Sequence, residues 1–301
     1  MRAFVTGASG FVGRHLTAHL ETEGDEVAKL ADGIDVADEP AVTAAVAEAE
    51  PDVVYHLAGW AHVGDSWNHP TEVVRVNVGG TAVVLEACRT AGVARILVVG
   101  SADAYGAFSP LDLPLREDLP LRPVTPYGAS KAAAEVLALQ AHRSTGAGVV
   151  LTRSFNHTGP GQDPSFVVPA LAGRIVAAAA SGSGRVQVGN LSAQRDLLDV
   201  EDVVRAYRRL ALVGEAGTAY NVCSGVPVVI GEVAELLAEL SGTQLQLVVD
   251  PDLVRTVDLP VLVGDSSRLR GLGWQPQVPL IETLRRVLDD QRSRHGVAAV
   301  L

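Results

Sequence analysis

Cysteine is scarce in this 301-residue sequence, with Cys88 and Cys223 far apart and lacking metal-ligand spacing. That excludes a disulfide framework, gives no reason to expect a metal site, and fits reduced core thiols in a cytoplasmic protein. Basic residues are also in the minority: 24 Lys and Arg stand against 35 Asp and Glu, a formal net charge of −11. A duplex-binding surface must displace counterions with clustered cations, so no nucleic-acid partner is expected. An acidic chain can still hold one anionic ligand where a few arginines converge. Long apolar runs are missing too. Nothing reaches the roughly 18 residues of a membrane span, and the nearest approach, Val167 to Ala180, is interrupted by Arg174. Met1 to Thr6 reads at once as a buried strand without a basic, apolar leader ahead of it, so secretion through a cleaved signal is not expected.

What is present is apolar mass in a regular rhythm. Hydrophobic residues make up 48% of the chain, enough for one large core or two unequal ones. Ala3–Thr6, Val27–Leu30, Val53–His56, Ile96–Gly100 and Val149–Arg153 are short, near-continuous apolar runs. Between them Val12–Glu23, Ala41–Ala49 and Thr81–Ala91 carry apolar residues at helical spacing. Such alternation predicts a parallel sheet covered on both faces. Gly33 to Asp38 leaves little room for a helix directly after the second strand. Beyond Phe155 the rhythm loosens, with helices predicted at Pro169–Ala180, Ile230–Leu240 and Leu280–Arg292 among irregular segments. The expected division is residues 1–160, with a returning segment near 195–215, and residues 161–301 as a smaller lobe.

Gly7-Ala8-Ser9-Gly10-Phe11-Val12-Gly13 follows the first predicted strand and opens the first predicted helix. Glycines there let the backbone approach a pyrophosphate, and the helix N-terminus offers N–H groups and a partial positive charge. A glycine-rich turn alone is a weak sign; its place at the head of a strand–turn–helix unit strengthens it. Gly7, Gly10, Phe11, Val12 and Gly13 are therefore predicted to hold a dinucleotide. Tyr127 and Lys131 stand four apart at the start of another predicted helix, on one face of it. A nearby ammonium is expected to lower the tyrosine pKa toward the range where it can trade protons with a reacting hydroxyl. An isolated pair of this kind is usually a solvated surface feature. Here Ser101 ends a predicted buried strand upstream, where it can hold a substrate oxygen beside the crevice. A phosphate turn, a strand-end serine and a Tyr–Lys pair, in that order, predict hydride transfer.

Together these segments resemble the extended short-chain dehydrogenase/reductases, the nucleotide-sugar epimerases, dehydratases and reductases, over nearly the whole chain. The glycine spacing, one residue wider than the commonest dinucleotide fingerprint, is typical of short-chain dehydrogenases. The fold this implies is α/β, a Rossmann-type doubly wound parallel sheet with a smaller C-terminal α/β substrate-binding lobe. Pro51-Asp52-Val53-Val54-Tyr55-His56-Leu57-Ala58-Gly59 is similar to the strand segment that runs past the cofactor, which implies Leu57, Ala58 and Gly59 as its neighbours. Asp35-Val36 matches the pair that contacts adenine, and Asn77 in Val76-Asn77-Val78-Gly79-Gly80-Thr81 is a further hallmark. Arg153-Ser154-Phe155-Asn156-His157-Thr158-Gly159-Pro160-Gly161-Gln162, then Phe166-Val167, resembles reductases of GDP-4-keto-6-deoxymannose. Val188-Gly189-Asn190-Leu191, Arg195-Asp196, Tyr220-Asn221-Val222-Cys223-Ser224-Gly225 and Arg255 with Asp258 continue that likeness. It implies that Arg195, Arg255, Asn156 and Asn221 grip the diphosphate and ribose, a task for which guanidinium forks are suited. It also implies His62, Phe166 and Val167 as substrate neighbours and His157 as a cofactor neighbour.

The chain departs from its relatives at three places. Trp60-Ala61 replaces Gln-Ser before His62-Val63; Asp103 stands where relatives often carry the glutamate base of dehydratases; and Ala31 occupies the place of the ribose-binding acid, with Asp32 next. The resemblance implies a reductase of a nucleoside-diphosphate 4-keto-6-deoxyhexose, GDP- or dTDP-linked, using NADP or NAD. Tyr127 would protonate the alkoxide, Lys131 would hold the nicotinamide ribose, Ser101 would bind the keto oxygen, and Asp103 joins the candidate catalytic set. Rivals are a dehydratase or epimerase with retained NAD(P), and a catalytically silent redox-sensing module, against which the intact Tyr–Lys pair argues. A homodimer is expected through the helices at Thr81–Ala91 and Tyr127, whose apolar outer face includes Ala132, Ala133, Val136, Leu137 and Leu139.

Overall fold

The computed structural model describes residues 1–253 and 259–296, and Arg255 lies outside the described residues. The chain divides into two compact units. The first comprises Met1–Phe155, Val203–Val222 and Asp265–Gln275; the second comprises Asn156–Asp202, Cys223–Gly264 and Pro276–Leu301. The returning passage thus begins at Val203, later than the expected 195, and Asp265–Gln275 is a further passage that the sequence reading did not contain. The later start has a simple cause. The strand Gln194–Asp199 is tied into a sheet of the second unit, where it pairs with Asn156–Thr158, Pro227–Val229 and Val261–Leu262.

In the first unit β1 (Arg2–Thr6), β2 (Glu26–Lys29), β3 (Val53–His56), β4 (Arg95–Ser101) and β5 (Val149–Ser154) run parallel, and Thr218–Val222 is added as a sixth strand. Their order is β2–β1–β3–β4–β5 and then Thr218–Val222. Chain direction across the sheet therefore reverses between β1 and β3, the kind of switch point where a crevice opens at the strands' carboxyl ends. Helices cover both faces of this sheet, so its inner strands are largely apolar, and β3 and β5 are buried throughout, whereas the edge strand β2 is exposed at both ends. The connections are α1 (Phe11–Thr22), α2 (Glu39–Ala49), α3 (Pro70–Val74), α4 (Gly80–Ala91) and α5 (Pro126–Thr145). Asp38 caps α2 by accepting from the Ala41 amide, so no helix precedes α2 in this connection. A π-helical turn, Arg75–Gly79, joins α3 to α4 and carries Asn77. Such turns are uncommon and concentrate at functional sites.

The second unit has its own core, built from the helices Val167–Ser181, Ile230–Ser241 and Leu280–Arg294 against short strands. Asp196 organises its loops: the buried carboxylate accepts from the amides of Ser224, Gly225 and Gly264 and from the Ser224 hydroxyl at 2.6 Å. Among the described residues no helix is long and apolar enough to cross a membrane.

Candidate active site

At the end of β1 the chain turns through Gly7, whose φ of +72° is left-handed. A Cβ on Gly7 would lie 2.7 Å from the Ala58 amide nitrogen, and one on Gly13 would lie 2.0 Å from the Gly7 carbonyl. The two glycines let α1 start hard against the strand ends. Gly10 caps α1 in an extended conformation and supplies no side-chain acceptor to its first turn, which contains Phe11, Val12 and Gly13. The positive end of a helix is thereby presented beside a cavity of about 330 Å³. Gly7, Asp32, Asp35, Val36, Ala58 and Gly59, all predicted cofactor contacts, line that cavity together with Arg75 and Trp60. Leu57, also predicted, is outside this lining and donates its amide to the Thr6 carbonyl. A narrow glycine turn, a helix N-terminus and a half-apolar cavity fit a dinucleotide.

Thr125 caps α5 by accepting from the Gly128 amide at 2.9 Å, and Pro126 pre-sets its first turn. A Cβ on Gly128 would meet the Asp103 carbonyl at 2.5 Å, so this turn presses against the end of β4. That contact brings Tyr127, Ser101, Asp103 and Lys131 together. The Ser101 hydroxyl donates to the Asp103 carboxylate at 3.0 Å, and Lys131 donates to the Val99 carbonyl at 3.0 Å. Burial pushes the Tyr127 phenol well above its ordinary pKa; the Asp103 charge adds to this and a hydrogen bond with Ser101 opposes it. Burial also lowers the Lys131 ammonium to about 8. The expected direction at Tyr127 is therefore corrected. Lys131 is engaged by a backbone carbonyl, and desolvation governs the phenol.

A buried hydrogen-bond relay ties this group to the cofactor turn. The Ala58 amide donates to Thr6 Oγ1, which meets His56 Nδ1 at 2.9 Å; His56 Nε2 meets Thr81 Oγ1 at 3.1 Å. Thr81 donates its own proton to the Asn77 carbonyl at 2.6 Å, so it must accept from His56, which assigns the Nε2–H tautomer. His56 is neutral, because burial and the Lys131 charge depress it to about 3. The Asn77 amide continues the chain, accepting from the Trp60 amide and donating to Ser130 Oγ, which donates to the Tyr127 carbonyl.

The remaining predicted residues fare differently. Asn221 is held by the first unit: its Oδ1 accepts from Tyr105, and its Nδ2 donates to the carbonyls of Leu115 and Asp265. Both Nδ2 protons and one Oδ1 lone pair are thus engaged within the first unit, and the second Oδ1 lone pair is the capacity left for a ligand. Asp35 pairs with Arg75 at 2.6 Å, which lowers its pKa. His62 is half-buried, and its carbonyl accepts from the Trp60 indole. In the second unit Asn156, His157, Phe166, Val167 and Arg195 are half-buried. Arg195 donates to the carbonyls of Gln194 and Leu259. Asn156 presents a buried Oδ1 with no partner among the described residues, an acceptor that a ligand could satisfy.

Sequence reasoning missed Arg75, Thr6 and Thr81, and it named His56 only as part of a strand. Their partners lie 25 to 50 residues away for the His56 relay, so no local spacing marks them. The position of Arg75 two residues before Asn77 was the available signal.

Comparison with known proteins places this geometry. The model of the NAD dependent epimerase/dehydratase family matches residues 3–223. The chain is 40% identical to GDP-6-deoxy-D-mannose reductase of Pseudomonas aeruginosa, covering 97% of this chain and 98% of that protein. It is 33% identical to dTDP-glucose 4,6-dehydratase of Streptomyces griseus, over 93% of this chain and 90% of that one. The solved structure of RMD from Pseudomonas aeruginosa complexed with NADPH superimposes with a TM-score of 0.91 at 36% identity, covering 98% of this chain and 100% of that chain. The chain belongs to the NAD dependent epimerase/dehydratase family.

Proposed function

We propose that this protein reduces the C4 keto group of a nucleoside-diphosphate 4-keto-6-deoxyhexose, GDP-linked by preference, with NADP or NAD as cofactor. One observation carries the reading: Ser101, Asp103, Tyr127 and Lys131 converge at the end of β4, in a chain 40% identical to a protein named GDP-6-deoxy-D-mannose reductase. The reduced dinucleotide, when bound, supplies the hydride. Gly7, Gly10, Phe11, Val12 and Gly13 would receive its pyrophosphate; Asp32, Asp35, Val36, Leu57, Ala58 and Gly59 would line its adenosine and central parts. Lys131 would hold the nicotinamide ribose, and His157 is a further assigned contact. Ser101 would hold the keto oxygen and Tyr127 would give it a proton. Donors fixed in place before reaction stabilise the developing charge without reorganisation. Asn156, Arg195 and Arg255 are assigned to the nucleotide, and His62, Phe166 and Val167 to its sugar.

The nearest alternative, a dehydratase or epimerase, returns the hydride within one turnover. Asp103 is disfavoured as the base this requires, since it is one methylene shorter than glutamate and already accepts from Ser101. The test is dinucleotide content. Denaturing the purified protein should release little NAD(P), and turnover should need added NADH or NADPH; a full complement of bound NAD(P)⁺ with cofactor-independent turnover would favour the alternative. A cytoplasmic location accords with two buried cysteines that form no disulfide. A homodimer through α4 and α5 is part of the same reading. Leu137 and Leu139 pack against the core, whereas Val136 is 61% exposed on α5. Light scattering at micromolar concentration should give twice the chain mass; a monomer would remove the dimer.

A further inference from the structure

We infer that the adenosine end of the dinucleotide cavity favours NADH over NADPH, through the carboxylate of Asp32 and an arginine already paired with protein carboxylates. The inference rests on the dinucleotide reading above and adds the identity of the cofactor.

After β2 the Leu30 amide still bonds to the Val5 carbonyl, and the chain then turns sharply, with the Ile34 amide donating to the Ala31 carbonyl at 3.2 Å. Gly33 takes φ +86° at the third position of this turn, a conformation that favours glycine. The turn places Asp32, exposed, in the cavity wall, and Asp32 has no hydrogen-bond or ion-pair partner among the described residues. Arg75 is the cation lining the cavity among the described residues. It is committed elsewhere. Its Nη2 lies 2.6 Å from Asp35 and 2.6 Å from Glu72, and its Nε donates to Glu72 at 2.9 Å. One guanidinium, already paired with Asp35 and Glu72, thus shares the cavity lining with a further carboxylate at Asp32, and the balance of these four charges is negative.

The two cofactors differ only at the adenosine 2′ position. A 2′-hydroxyl can donate to an unpaired carboxylate and so supply the partner that Asp32 lacks. A 2′-phosphate brings about −1.5 to −2 charges toward the same carboxylates, and to bind it Arg75 would have to leave two acids. RMD from Pseudomonas aeruginosa was solved with NADPH, so this chain is expected to differ from that relative in cofactor.

The test is equilibrium binding, independent of turnover. Calorimetric titration of the purified full-length protein should show NADH binding at least about tenfold more tightly than NADPH, the scale of one charge-assisted hydrogen bond set against one repulsion. Asp32→Asn should tighten NADPH, weaken NADH and close most of that gap. Equal affinities in the native protein, or an unchanged gap in Asp32→Asn, would overturn the assignment while leaving the dinucleotide site in place. Binding of neither cofactor would overturn the dinucleotide reading itself.

Discussion

A phenol that resists ionisation is the right donor for a reduction. Tyr127 holds its proton because burial and the neighbouring Asp103 charge both oppose the phenolate. The alkoxide left by hydride addition is more basic than any phenolate, so the proton still moves toward it. Tyr127→Phe keeps the ring and removes the proton, and turnover should drop roughly a hundredfold or more while the fold survives. Near-native turnover in that variant would disqualify Tyr127 as the acid. Lys131 adds a pH limit. Its ammonium is lowered to about 8 by burial, so the charged form is present below that pH and is lost as pH rises through it. If the charge holds the nicotinamide ribose, kcat/KM for the dinucleotide should fall above about pH 8 in the free enzyme. Lys131→Met should be weaker throughout and lack that limb; a native profile flat to pH 10 (about two units further, where an unburied lysine titrates) would contradict it. At this scale the sequence was informative about which residues meet and misleading about their protonation. The four-residue spacing put Tyr127 and Lys131 on one face, but burial and the Val99 carbonyl are long-range facts that spacing does not contain.

Elements are held in register here by one directional chain of hydrogen bonds. From the Ala58 amide through Thr6, His56, Thr81 and Asn77 to Ser130, each hydroxyl or ring accepts on one side and donates on the other. The chain links β1, β3, the π-helical turn, α4 and α5. Thr81→Val is nearly isosteric, yet it strands the His56 N–H and removes a donor from the Asn77 carbonyl. A buried group left unsatisfied costs about 1–3 kcal/mol, so the melting midpoint should fall and turnover should fall with it, whereas Thr81→Ser should retain both. Equal stability of the Val and native proteins would show that the relay is dispensable. The strands and the glycine turn were legible because each is dictated within a few residues: apolar runs, Gly7 and Gly13. The relay and the Arg75–Asp35 pair were not, since each joins residues that only the folded sheet brings together. Asn221 shows the converse. Its setting in a familiar segment pointed to a ligand, and the fold uses three of its four hydrogen-bond positions on Tyr105, Leu115 and Asp265, which its spacing does not show.

For the whole molecule, the acidic charge of −11 turned the reading away from nucleic acid, and the glycine turn in a parallel-sheet pattern turned it toward a small anionic ligand held locally. The sequence also changes rhythm after Phe155, but nothing in it marks the strand Thr218–Val222, which pairs with β5 from far along the chain. The central claim is that the molecule consumes one reduced dinucleotide for each sugar it converts. The most direct measurement follows the loss of NADH or NADPH absorbance on adding GDP- or dTDP-linked 4-keto-6-deoxyhexose, with the product identified by NMR. Equimolar cofactor oxidation and a 4-hydroxy sugar product are expected, with the GDP-linked substrate preferred. Product formed without net cofactor oxidation, or no reduction of either keto sugar, would contradict it.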